Sequence, residues 1–62
     1  VTDDIDRLRQ RIKGMQLRRD KVAEAKAQAE LGLMCLAEDI DAAAVAFARA
    51  KRLCRDIQRG KP

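Results

Sequence analysis

Apolar side chains recur along this chain with a seven-residue period that starts at Ile5. Counting from there, Ile5, Ile12, Arg19, Lys26, Leu33, Ile40, Phe47 and Cys54 fall at a positions. Leu8, Met15, Val22, Ala29, Leu36, Ala43, Ala50 and Ile57 fall at d. Such a repeat is the mark of a helix with one apolar seam facing a partner helix. Its two charged members, Arg19 and Lys26, flank the alanine-rich stretch VAEAKAQAE, where large core side chains are missing and cohesion is weak. A second stripe, Leu31, Met34, Cys35, Ala42 and Val45, occupies positions that a two-stranded coiled coil leaves in water. The uncharged run LGLMCLA, residues 31–37, circles the helix and needs neighbours on more than one side.

The ends carry helix signals. Thr2 is placed to cap the first turn, with Asp3, Asp4 and Asp6 behind it, and Arg59, Gly60 and Pro62 read as a basic last turn and a stop. Helix is therefore expected from about residue 3 to residue 59. Within it, the acidic AEDID reads as a new helix start with Asp39 as N-cap. The expected fold is all-α: a single module forming an antiparallel hairpin, helix 3–36, turn 37–39, helix 39–59. Its packing is of coiled-coil type, and it associates into a larger helical bundle. The alternative is one continuous coiled-coil helix, roughly 85 Å long. A turn at Gly32 ranks last, because it sets Ile40 and Ala43 against Lys26 and Glu24.

In the hairpin the first helix overhangs the second by about 13 residues at 1.5 Å each. That overhang holds Ile5, Leu8, Ile12 and Met15, which would be bare in a lone chain. These four, with Val22, Leu31, Met34, Val45, Phe47 and Ile57, are the expected interface. The partner is a second copy of the chain, in a homodimer or higher oligomer, or a helix of another protein.

The stretch EDIDAAAVAFARAKRL, residues 38–53, resembles the second helix of a tetratricopeptide repeat: Asp39, Ile40, Ala43, Phe47 and Ala50 fall on matching places. Leu31-Gly32 is similar to the Leu-Gly of that repeat's first helix. The likeness covers about 25 residues, with a turn one residue shorter and Glu38 in place of the turn glycine. It implies a helix-turn-helix hairpin.

Composition narrows the function. The chain has 62 residues, 14 basic and 10 acidic, with two cysteines and no histidine. One chain this small is a single domain with little core, and its stability is marginal without help. Two cysteines without histidine do not complete a four-ligand zinc site, so no metal or other cofactor is expected. Cys35 and Cys54 read as small buried hydrophobes, free thiols that suit a reducing, cytoplasmic setting. No run reaches the length of a membrane span. Carboxylate pairs such as Glu38 and Asp41 lack a pocket to desolvate them, which argues against an enzyme and against a small-molecule substrate.

Charge comes in blocks: basic over 1–21, acidic over 22–48, basic over 49–62. Arg7, Arg11, Arg18, Arg52, Arg55 and Arg59 are the candidate phosphate-binding residues of the alternative reading, a small basic nucleic-acid-binding or replication- or transcription-regulating helical dimer. Acidic residues interrupt these cations and no aromatic residue interleaves them for base stacking. A non-catalytic protein-interaction module, such as an adaptor, small chaperone or assembly segment, is the expected function.

Overall fold

The computed structural model describes residues 2–60, and regular structure there is helix throughout. Three helices follow one another: α1, Thr2–Leu17; α2, Lys21–Cys35; and α3, Ile40–Arg59. The side chain of Thr2 and residue Pro62, read as cap and stop, lie outside the described residues.

The single helix expected over 3–36 is two helices, and the continuous rod is excluded with it. The break falls at residues 18–20, next to the weak alanine-rich stretch. Arg19 there adopts φ 56°, the left-handed region that usually takes glycine. Its N–H donates to the Gln16 carbonyl at 3.1 Å and that of Asp20 to Met15 at 3.0 Å, the paired bonds of a Schellman stop. Asp20 then caps α2, its Oδ1 accepting from the Ala23 N–H at 3.1 Å. One residue thus closes a helix and opens the next. At the second turn the Cys35 carbonyl accepts from the N–H groups of Glu38 and Asp39. The Asp39 side chain accepts from Asp41 and Ala42, both at 3.1 Å, to start α3. Gly32 makes no turn; it lies inside α2.

Each helix packs antiparallel on the next, so α1 and α3 run parallel on either side of α2. No Cα of α1 comes within 8 Å of a Cα of α3. The Cα extents, 40 × 20 × 11 Å, describe a slab with α2 in its middle. Ile5, Leu8 and Ile12 of α1 meet Ala27 and Leu31 of α2, and Cys35 continues the core to Ala43 and Ala46 of α3. Along the other flank of α2 helix and helix approach closely: a Cβ built on Gly32 would stand 2.7 Å from the Phe47 ring.

The single heptad seam is interrupted after the first turn and resumes in α3, where Ala43 and Ala50 are buried and Phe47 and Ile57 half-buried. Its leading part, Ile5, Leu8 and Ile12, is buried, whereas Val22, Leu33, Leu36 and Ile40 are exposed and Cys54 lies in solvent rather than in a core. In α2 the buried face is instead Glu24, Ala25, Ala27, Gln28, Leu31, Gly32 and Cys35. Leu31 and Cys35 of the second stripe are therefore core, and the third helix they require comes from the same chain.

Candidate interaction surface

The expected association surface of α1 is already used. Ile5, Leu8 and Ile12 are 5–6% exposed within one chain, because the turn at 18–20 folds α1 back onto α2 and covers what a straight helix would leave bare. Met15, Met34 and Phe47 are half-buried against the same core, Leu31 is fully within it, and Ile57 is half-buried. Of the ten expected interface residues, Val22 and Val45 alone remain well exposed.

Val22 is joined in solvent by large apolar side chains outside that set. Leu33 is 65% exposed, Ile40 70%, Val22 57% and Leu36 47%. On α2 the spacing Val22, Ala29, Leu33, Leu36 lies within one arc of the helical wheel, and Ile40 opens α3 across the tight turn. This stripe lies on the side of α2 that neither α1 nor the buried face occupies, with Lys26 the one charge in its path. Its signal was in the sequence as the middle of the heptad seam. Val45 is separate, about 140° around α3 from Ile40, and Leu17, 86% exposed, stands alone at the end of α1.

Charge is sorted by the fold as it is not by the sequence. Antiparallel packing brings Asp3, Asp4 and Asp6 of α1 to the same end as Glu38, Asp39 and Asp41, and gathers Arg18, Arg19 and Lys21 with Arg52, Arg55 and Arg59 at the other. The candidate phosphate-binding residues, all exposed, are split by this arrangement. Arg18, Arg52, Arg55 and Arg59 share the basic end. Arg7 and Arg11 line an open hollow with Asp4, Leu8, Glu30 and Met34, next to two carboxylates.

Among the described residues the most enclosed charged group is Glu24, which sequence inspection passed over. Its Oε2 accepts from Gln16 Nε2 of α1, Gln28 Nε2 of α2 and Arg49 Nε of α3, each at 3.1 Å. Among the described residues it is the one side chain hydrogen-bonded to all three helices. Burial pushes the carboxyl up, but the hydrogen bonds from Arg49, Gln16 and Gln28 and the guanidinium charge outweigh it and hold the pKa below the ordinary value. A carboxylate kept ionised and occupied in this way is a structural tie and carries no proton to donate at neutral pH.

No helix is long and apolar enough to cross a membrane among the described residues. No protein-family model, curated protein or solved structure matches the chain.

Proposed function

We propose that this chain is a non-catalytic protein-interaction module, an adaptor or assembly segment, that binds a helix along Val22, Ala29, Leu33, Leu36 and Ile40. The observation that carries the reading is the alignment of four large apolar side chains, each about half exposed or more, on one face of the slab, while the two other exposed large apolar side chains, Leu17 and Val45, stand apart from it and from each other. Scattered exposed leucines are ordinary on protein surfaces; a contiguous stripe marks an interaction site. Covering what remains exposed of each of these side chains contributes roughly 1–2 kcal/mol. The free thiols at Cys35 and Cys54 suit a reducing, cytoplasmic setting.

A photoreactive side chain placed at Leu33 should give protein adducts in the cell of origin, and one at Gln10 on α1 should not. Leu36→Asp together with Ile40→Asp should abolish the Leu33 adducts. The reading is overturned if those substitutions do nothing while Arg52→Glu, Arg55→Glu and Arg59→Glu erase a salt-sensitive binding of nucleic acid.

A further inference from the structure

We infer that the occupant of the stripe is a second copy of this chain, held in an antiparallel two-fold dimer with α2 against α2. The inference rests on the interaction-module reading and names its partner. Two observations select it.

The first is the spacing of three members of the stripe. Val22 and Leu36 stand equally far, seven residues, on either side of Ala29. A two-fold axis at Ala29 sets Val22 of each copy against Leu36 of the other. The small side chain on the axis lets the two helices approach there. Lys26 then falls beside Leu33 of the other copy, where its methylene stem covers the leucine while the ammonium stays in water. Such an interface is self-complementary and closes at two copies.

The second is charge. Because each molecule has an acidic end and a basic end, the two possible orientations of α2 on α2 differ sharply. Antiparallel, Glu38 and Asp41 of one copy come to the end that carries Arg18 and Lys21 of the other, and the same contact repeats across the axis. Parallel, acid meets acid and base meets base. Exposed ion pairs add little affinity, so the apolar stripe supplies the binding and the charges choose the direction.

The test uses the full chain with exposed Cys54 replaced, Cys54→Ser, so that an introduced thiol is the one that reacts. Val22→Cys and Leu36→Cys chains are each oxidised alone and as an equimolar mixture, beside a sedimentation measurement of mass over a wide concentration range. The expected results are a mass of two chains and a disulfide that forms in the mixture and not in either chain alone. Leu33→Asp should weaken the dimer at least about 100-fold, since it places an unpaired charge in an apolar contact, and Val45→Asp should leave it unchanged. Both positions are exposed, so helicity should be kept in each.

Disulfides within each single-variant preparation, or a mass that grows past two chains, would overturn the antiparallel dimer. So would a single-chain mass at every concentration. In that last case, adducts from Leu33 to a different protein keep the interaction-module reading, and their absence removes it as well.

Discussion

The two flanks of α2 mix large and small side chains in different proportions. Toward α1 the contact is made by large aliphatic side chains, Ile5, Leu8 and Ile12, set into Ala27 and Leu31. Toward α3 it is made mostly by alanines and a glycine, Ala25 and Gly32 facing Ala43, Ala46 and Ala50, with Phe47 lying over Gly32 and Leu53 as the one large aliphatic side chain buried on α3. A flank of large residues gains stability from area removed from water and depends on a few side chains. A flank of small residues gains it from close backbone approach, spread over many atoms, and has no room for an added methyl group. The same helix is thus sensitive to deletion on one side and to addition on the other.

The strongest way to break the aliphatic flank is Leu8→Ala. It should cost about 2–5 kcal/mol, enough to unfold much of so small a domain, and urea titration followed by circular dichroism measures it. Glu24 lies where the flanks meet and should come next. Glu24→Gln removes a charge-assisted acceptor from the Gln16, Gln28 and Arg49 donors, at about 1–3 kcal/mol near neutral pH. The pH dependence has a definite sign. With its folded-state pKa below the ordinary 4.5, the carboxylate stabilises the native state above that value. The contribution is lost as pH falls from there through the folded-state pKa. Thermal melts at stepped pH should show the wild-type chain losing its advantage over Glu24→Gln in that acid window.

The smallest effects sharpen the comparison most, because the two helix-interior glycines should answer in opposite directions. A Cβ at Gly14 would meet nothing within 4 Å, so Gly14→Ala should stabilise by about 0.5–1 kcal/mol from backbone entropy alone. At Gly32 the same gain is offset by the Phe47 ring, and Gly32→Ala should destabilise by about 1 kcal/mol net. Replacing Phe47 with Leu should reverse that sign. If Gly32→Ala stabilises while Phe47 is intact, the close-packed account of the α3 flank is wrong.

Much of the candidate surface was legible as pattern and illegible as location. The heptad count picked out Ile5, Leu8 and Ile12 and also Val22, Leu33, Leu36 and Ile40, and it treated them as one seam. Periodicity says which residues share a face of a helix; it says nothing of whether that face meets its own chain or another. The turn at 18–20 separates the two halves, and it was hidden because its left-handed residue is Arg19 and not a glycine. The visible trace was indirect: charges at Arg19 and Lys26 in an otherwise apolar register. Glu24 was passed over for a similar reason, since an ordinary glutamate in a polar-looking stretch carries no mark of the three donors that converge on it.

Local chemistry, then, was settled by sequence in part: an all-helical chain, Asp39 as a cap, and the need of Leu31 and Cys35 for a third helix. These depend on residues within a turn or two of one another, where propensity and capping act. Only the tertiary structure decided which of the apolar stripes is satisfied inside the chain, which is left exposed, and that three blocks of charge resolve into one acidic end and one basic end. Those outcomes turn on the direction in which α1 folds back. That direction is set by a reversal three residues long and by the packing of Leu8 and Ile12 on α2, contacts between residues far apart in the chain that no local pattern encodes.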